Sequence, residues 1–181
     1  MKKIYKILSA IQKITTREGL YREAIKSLDI GRPLCLIDVG SAKGMQSRWA
    51  KIKNLVFSYG FEPDEGAREK LSQKNVFEGG GNTDSPYALS HKREKIELNI
   101  LKKPSHSSVL EPNNNFINLY PERNPKGFEL DHKVSVDAID LDSLEMEAKD
   151  FMKIDVQGYE LNVLRGSEES LKEILGLEIE I

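Results

Sequence analysis

Two stretches of the sequence place an acid at the end of an apolar run, with a glycine close behind it. Asp38 precedes Gly40 and Gly44, and Asp155 precedes Gly158. A glycine in such a turn lets backbone approach another group closely, because it has no Cβ. A carboxylate at that point repels a pyrophosphate, but it accepts hydrogen bonds from an ammonium group or from hydroxyls. The two turns therefore indicate a site for a ligand that carries a cation or hydroxyl groups.

The first turn departs from the dinucleotide fingerprint. G-x-G-x-x-G requires a glycine where Ala42 stands, and the pattern present is D-x-G-x-x-x-G. S-adenosylmethionine carries an ammonium group and a ribose and has no phosphate, so it suits this turn better than a nicotinamide dinucleotide does. A generic tight turn of some other α/β protein is the alternative that the turn alone leaves open.

These turns need a parallel sheet to position them. Residues 34–39 form an apolar run with β-branched residues at its end, which is typical of a strand buried on both faces. Residues 45–53 contain neither proline nor glycine and favour a helix. Residues 55–61 predict a second strand, so the pattern is strand, glycine turn, helix, strand. This order is typical of a doubly wound α/β fold that binds its ligand at the strands' carboxyl ends.

The second predicted strand ends at Glu62, where a doubly wound fold places the carboxylate that binds ribose hydroxyls. Asp64 has two interpretations. It is either a second ligand carboxylate or the acid at the start of a helix over residues 65–73, where it suits the helix dipole.

The rest of the chain continues the alternation. Further strands are predicted over residues 83–89, 95–101, 134–139, 151–154 and 177–181. Further helices are predicted over residues 1–28, 140–144, 159–165 and 170–175. Thr15 or Thr16 is expected to interrupt the first of these helices and to cap its second part. Residues 79–81 are three glycines without the following Lys-Ser of a phosphate loop, which predicts a plain turn. Residues 102–128 show little periodicity, and long segments of that kind tend to be lids or binding loops.

Composition bounds the remaining possibilities. The chain has 181 residues, 39% of them hydrophobic and 31% charged, which fits one globular domain. The net charge of −2 gives no electrostatic case for nucleic acid binding. Cys35 is the single cysteine, so no internal disulfide forms and a cytoplasmic location is expected. No apolar run reaches the length of a membrane span. The basic N-terminal helix predicts either a cover for the sheet or peripheral contact with an anionic membrane.

At these residues the chain resembles the FkbM family of S-adenosylmethionine-dependent methyltransferases. The matching segments, in the family's order, are residues 37–44, 60–64, 87–90, 107–110, 139–144 and 153–166. The resemblance implies an α/β fold with the doubly wound, mostly parallel, Rossmann-like sheet of class I methyltransferases. It implies a cofactor-binding domain over residues 33–181, preceded by an N-terminal helical segment over residues 1–32. The family's sheet closes with an antiparallel hairpin, and we expect this chain to stop before those last strands.

The resemblance also assigns roles by position. Residues expected to bind S-adenosylmethionine are Asp38, Gly40, Ser41 and Gly44 at the methionine half, Glu62 at the ribose, and Ala88 and Leu89 beside the adenine. Asp155 is the first candidate for the general base or for orienting the acceptor. Its alternative role is to accept a hydrogen bond from the cofactor's ammonium group or from the N-terminus of the next helix. Glu180 is the second catalytic candidate, and Glu160 is a weaker one.

The histidines and the other potential metal ligands give only weak indications of function. His106 and His132 lie in or near the long loop and are expected to be surface residues. No cluster has metal-ligand spacing, so no metal is predicted. The function predicted is an O-methyltransferase acting on a hydroxyl, on a sugar of a glycan or secondary metabolite by analogy with the family. The rivals are a non-catalytic, cofactor-binding remnant of such an enzyme and an NAD-dependent oxidoreductase. An exposed last strand would favour pairing with a second copy of the chain.

Overall fold

A computed structural model describes residues 17–27, 30–46, 49, 52–73, 82–119 and 125–180. The helices are α1 (Arg17–Ser27), α2 (Glu65–Gln73), α3 (Asn114–Ile117) and α4 (Glu160–Arg165). The strands are β1 (Leu34–Val39), β2 (Val56–Phe61), β3 (Asn82–Ser85), β4 (Ala88–Leu89), β5 (Glu94–Leu101), β6 (Leu130–Ile139), β7 (Phe151–Ile154) and β8 (Gly176–Ile179). Short 3₁₀ turns occupy Lys53–Leu55, Pro104–His106, Pro125–Phe128 and Ser170–Lys172.

The main sheet has five strands in the order β3-β2-β1-β7-β8, and every neighbouring pair in it is parallel. All six residues of β1 are buried, because β1 lies in the middle of the sheet with apolar side chains on both faces. The chain builds outward from β1 to β3 and then returns to the other side of β1 with β7. The point where the strand order reverses therefore lies between β1 and β7, where open α/β sheets bind ligands.

A second sheet contains β5 and β6 as an antiparallel pair, with β4 parallel to β6 at its edge. After β5 the chain folds back, so that Ser108 bridges to Asn99. Leu89 and Ile139 of this sheet pack in one core cluster with Ile37 and Val39 of β1. This shared core attaches the second sheet to the main sheet.

The α/β class and the parallel Rossmann-like sheet are confirmed, with β1 and β2 close to their predicted bounds. The single strand predicted over residues 83–89 is wrong. Ser85 ends β3 in the main sheet, and Ala88 begins β4 in the second sheet. Pro86 lies between them, and its lack of an N–H removes a ladder hydrogen bond. The predicted strand therefore consists of two short strands that belong to different sheets.

Two helices predicted near the C-terminus are also wrong in extent. Residues 141–144 form a turn, in which Asp140 Oδ1 accepts from the Ser143 N–H at 2.7 Å. A carboxylate that accepts a hydrogen bond from a nearby backbone N–H stabilises a turn in competition with a helix. The helix predicted over residues 170–175 is reduced to the 3₁₀ turn Ser170–Lys172, and Asp142 Oδ1 accepts the N–H of Ser170 at its start at 2.7 Å.

At the N-terminal end, α1 confirms the second part of the helix predicted over residues 1–28. Residues 1–16, with both candidate capping threonines, and the glycines at 79–81 lie outside the described residues. In the helix predicted over 45–53, Met45 and Gln46 are not helical and Trp49 is, and Lys53 begins a 3₁₀ turn. No helix in the described part of the chain is long and apolar enough to cross a membrane.

Candidate functional site

A cleft opens at the carboxyl ends of β1, β2 and β7, with a volume of about 940 Å³ including its mouth. One wall consists of the glycine turn after β1 and the end of β2. The opposite wall consists of β4, β5 and the chain around the Pro104–His106 turn. The floor is the end of β7 and the turn that follows it. The cleft thus lies at the reversal of strand order, with the second sheet across it.

The glycine turn lines the cleft through Gly40 and Gly44, both of which have left-handed backbone, with φ of 78° and 72°. A Cβ on Gly40 would lie 2.0 Å from the carbonyl oxygen of Asp155. Gly40 is therefore required because the turn after β1 packs directly against the backbone of Asp155, which begins the turn after β7. The glycine pattern predicted close approach of a ligand at this position, but the group that approaches Gly40 is protein backbone.

Asp38 is buried behind this turn and does not line the cleft. Its Oδ1 accepts a hydrogen bond of 2.9 Å from Lys153 Nζ, and the two residues are register partners on β1 and β7. Burial raises the pKa of Asp38, and the positive charge of Lys153 opposes that shift. Lys153 itself reaches the cleft floor. Sequence reasoning assigned no role to Lys153, although a lysine inside an apolar parallel strand signals a buried partner.

Ser41, like Asp38, does not line the cleft. It is buried, and its Oγ has no hydrogen-bond partner among the residues that the structure describes. A Cβ on Gly60 of the neighbouring strand would lie 2.8 Å from this oxygen. Of the four residues expected at the methionine half, Gly40 and Gly44 line the cleft, whereas Asp38 and Ser41 support the turn from behind.

Glu62 directly follows β2 and lines the cleft, although only 6% of the residue is exposed. Its Oε1 accepts the N–H of Asp64 at 2.9 Å. Burial raises the pKa of Glu62 to about 7. Asp64 accepts the N–H of Gly66 at 3.1 Å, as a helix-start acid does, and it also lines the cleft, so both of its interpretations remain open. Ala88 and Leu89 line the same cleft, so the residues expected at the ribose and the adenine are brought together.

Asp155 follows β7 and lines the cleft floor. Its Oδ1 accepts a hydrogen bond of 2.6 Å from Gln157 Nε2, and its Oδ2 lies 3.8 Å from Lys153 Nζ. Gln157 has left-handed backbone with φ of 57°, a conformation that a side chain other than glycine's adopts at a cost. Ser108 Oγ donates to the Gln157 carbonyl at 2.7 Å and ties this turn to the opposite wall. The carboxylate orientation is thereby held from two sides.

The structure does not bring the other catalytic candidates to the cleft. Glu180 is exposed just beyond β8, and Glu160 accepts the N–H of Gly158 at 2.9 Å at the start of α4. His132 is exposed on β6 beside Asp131. His106 ends the Pro104–His106 turn without lining the cleft, and its ring lies 4.4 Å from that of Phe128, centroid to centroid.

Sequence reasoning flagged residues 102–128 as a binding loop without naming individual residues. The structure places Pro104, Ser105, Ser107 and Val109 in the cleft wall, together with Leu98 of β5 and Tyr159 of the last turn. The Tyr159 hydroxyl lies 3.1 Å from Ser90 Oγ. The part of the cleft that faces the acids is therefore mainly apolar, with two serine hydroxyls and one aromatic ring.

The lining suits an adenosyl sulfonium ligand better than a dinucleotide. A buried carboxylate at the end of β2 accepts ribose hydroxyls, Ala88 and Leu89 supply an apolar surface for a base, and the acid of the floor repels phosphate. Among the described residues, no group of three His, Cys, Asp or Glu side chains is placed to hold a metal ion.

Comparison with known proteins agrees with this geometry. The sequence profile of the family described as "Methyltransferase FkbM domain" matches residues 38–181. Among solved structures, the chain is similar to the crystal structure of methyltransferase FkbM from Methylobacillus flagellatus KT, with a TM-score of 0.51 and 16% identity. That similarity covers 81% of this chain and 32% of the other, so the chain spans about a third of its length. No curated protein matched the chain. Since the family profile covers most of the residues, the chain belongs to the FkbM methyltransferase family.

Proposed function

We propose that the chain uses S-adenosylmethionine to methylate a hydroxyl group, on a sugar of a glycan or secondary metabolite. The observation that carries the cofactor assignment is the buried Glu62 carboxylate at the end of β2, inside the cleft at the strand-order reversal. A carboxylate in that place accepts two hydrogen bonds from a ribose diol, and the surrounding burial strengthens them. The sugar acceptor rests on analogy with the family.

The residues present fit this cofactor along the length of the cleft. Glu62 would hold the ribose, Ala88 and Leu89 would flank the adenine, and the turn at Gly40 and Gly44 would hold the methionine half. When bound, S-adenosylmethionine supplies a methyl group on a sulfonium, which is already activated for transfer. The protein then contributes mainly alignment and exclusion of water, and alignment alone lowers barriers of this kind by about 7–11 kcal/mol.

Asp155 is proposed as the group that receives or orients the acceptor's hydroxyl proton. It lies on the cleft floor against the glycine turn, and Gln157 holds one of its oxygens in place. Leu98 and Val109 face the same space and reduce access of water to it. The competing role for Asp155 is to bind the cofactor's ammonium group, which a carboxylate in this place serves equally well.

Calorimetric titration with S-adenosylhomocysteine, with NAD as the control ligand, tests the cofactor assignment. We expect the wild-type chain to bind S-adenosylhomocysteine and not NAD. Glu62→Gln should weaken binding by about 10–100-fold, because it removes a charge-assisted acceptor worth about 1.5–3 kcal/mol. Glu180→Gln is the matched control, since that carboxylate is exposed outside the cleft, and its affinity should be unchanged. Binding of NAD in preference, or equal effects of the two substitutions, would contradict the assignment.

Transfer of a tritiated methyl group from S-adenosylmethionine to a panel of glycosides tests the reaction. Asp155→Asn should lower kcat by about 100-fold or more if Asp155 takes the proton, with little change in the affinity for S-adenosylhomocysteine. Weakened binding of S-adenosylhomocysteine with unchanged kcat would instead assign Asp155 to the ammonium group. Binding without transfer to any hydroxyl compound would support a cofactor-binding protein without catalysis.

A further inference from the structure

One buried ammonium group lies between two carboxylates at the floor of the cleft. Lys153 Nζ donates to Asp38 Oδ1 at 2.9 Å and to the Gly40 carbonyl at 3.4 Å, whereas Asp155 Oδ2 lies 3.8 Å from it. Lys153 and Asp38 are buried, and Asp155 is half-buried and lines the cleft. The ammonium group is therefore committed to Asp38, and it compensates the charge of Asp155 only in part.

The strand register explains why Lys153 binds Asp38 in preference to Asp155. Asp38 on β1 and Lys153 on β7 are register partners in a parallel pair, so their side chains project from the same face of the sheet. Glu178 on β8 is the register partner of Lys153 on the other side. Burial raises the pKa of Asp38, and the negative charges of Asp155 and Glu178 add to that shift, whereas Lys153 opposes it. Three carboxylates thus surround one ammonium group.

The rest of the described lining does not supply the missing positive charge. Glu62 and Asp64 line the cleft in addition to Asp155, whereas the second ammonium group of that lining belongs to Lys43, which is exposed to solvent in the glycine turn. Water and salt screen an exposed charge more than a half-buried one. The described part of the cleft therefore has an excess of negative charge, and at the floor that excess lies on Asp155.

We infer that Asp155 selects the positively charged sulfonium form of the cofactor over its neutral thioether product, because Asp38 holds the Lys153 ammonium group away from Asp155. The inference rests on the proposed function for the identity of the cofactor. S-adenosylmethionine has a positive sulfur and S-adenosylhomocysteine a neutral one, and their other charged groups are the same. A carboxylate shielded from water attracts a nearby cation more strongly than one in water does.

Lys153 is a positioning residue in this arrangement, since it acts on the ligand through the two carboxylates. Its pairing with Asp38 determines how much of the Asp155 charge is left for the cofactor. The cleft accordingly holds the charged donor more tightly than the neutral product, which favours release of the product after transfer.

Calorimetric titration with S-adenosylmethionine and with S-adenosylhomocysteine, without an acceptor, measures the selection as a ratio of two affinities. We expect the wild-type chain to bind S-adenosylmethionine about tenfold or more tightly than S-adenosylhomocysteine, and Asp155→Asn to bring that ratio to about one through loss of affinity for S-adenosylmethionine alone. Asp137→Asn is the matched control and should leave the ratio unchanged, because its carboxylate is exposed on β6 outside the cleft. Equal losses of both ligands in Asp155→Asn would overturn the inference, because they would assign Asp155 to the ammonium group that the ligands share.

Variants of the ion pair test the part of Lys153. Asp38→Asn removes the acid that holds the ammonium group, so Lys153 should then neutralise Asp155 and lower the ratio by about threefold or more, although Asp38 does not line the cleft. The double variant Asp38→Asn, Lys153→Met leaves Asp155 without a nearby cation, so its ratio should return to the wild-type value or exceed it. A general loss of structure lowers both affinities together and does not produce this pattern.

An unchanged ratio in Asp38→Asn, or a low ratio in the double variant, would overturn the inference. If Asp38→Asn does not fold, Asp155→Asn and the double variant still decide it. Equal wild-type affinities for the two ligands would refute this inference alone, whereas failure of both ligands to bind would refute the proposed function with it.

Discussion

Replacing Lys153 with methionine removes one partner of a buried ion pair and leaves the other in place. The side chains of Lys153 and Asp38 are 5% and 2% exposed, and their charged atoms are 2.9 Å apart. At an effective dielectric constant of 20 the attraction at that distance is about 6 kcal/mol, most of which offsets the desolvation of the two groups. Deleting one partner of such a pair typically costs about 3–5 kcal/mol. We therefore expect Lys153→Met to lower the free energy of unfolding by about 3–5 kcal/mol and Tm by about 6–20 °C.

Urea denaturation at about pH 7 and pH 5 measures this loss, with the double variant Asp38→Asn, Lys153→Met as the matched control. The double variant should recover most of the stability, because an uncharged amide needs no counter-ion. Burial already raises the pKa of Asp38. An acid whose pKa is higher in the folded state binds more protons there, so stability falls as pH rises. The deficit of Lys153→Met should therefore be smaller at pH 5.

Two results would refute this reasoning. A loss below about 1 kcal/mol at pH 7 would mean that water or another group compensates Asp38. A deficit that grows at pH 5, or a double variant whose loss equals the sum of the two single losses, would show that the two charges are not coupled.

Three further predictions follow from the site. Gly40→Ala should lower the free energy of unfolding, measured by urea denaturation, by about 3 kcal/mol or more, because its Cβ would lie 2.0 Å from the Asp155 carbonyl oxygen. Gly31→Ala is the control: its φ of 67° is similar but no atom lies within 4 Å of the added Cβ, so the loss should be about 1–2 kcal/mol. The pKa of Glu62 is about 7, and we propose that its ionised form binds ribose. Affinity for S-adenosylhomocysteine should therefore rise about tenfold from about pH 6 to pH 8, and Glu62→Gln should abolish that slope. Gln157→Gly should change the free energy of unfolding by no more than about 1 kcal/mol, because glycine tolerates φ of 57°. It should still lower kcat about tenfold, because the Asp155 carboxylate loses the side chain that positions it. Parallel losses of stability and kcat would contradict this positioning role of Gln157.

The parts of the site that the sequence predicted depend on local patterns. The apolar run of β1 and the acid that ends β2 identified the main sheet and placed Glu62 in the cleft, because strand periodicity and a following turn are encoded within a few residues. The same reasoning predicted a strand that ends at Asp155, and β7 ends at Ile154, the residue before it.

The parts that could not be predicted depend on long-range pairing. The Lys153–Asp38 pair joins residues 115 positions apart and follows from the register of two parallel strands, which no local pattern determines. The opposite wall of the cleft depends on the second sheet, which forms when β6 pairs with β5 and with β4, and no local pattern determines that pairing. Asp38 was expected to face a ligand, because an acid at a strand end looks the same in sequence whether it points into a cleft or to a buried lysine.

The close contact between Gly40 and the Asp155 carbonyl has a consequence for how ligands enter. With no room for even one methyl group between them, the two acid turns form a single rigid block, because packed backbone transmits displacement without absorbing it. We therefore expect any opening of the cleft to occur in the chain segment around the Pro104–His106 turn and not in the two turns themselves. Such an opening would have to break the hydrogen bond from Ser108 Oγ to the Gln157 carbonyl, which ties that side of the cleft to the turn after β7.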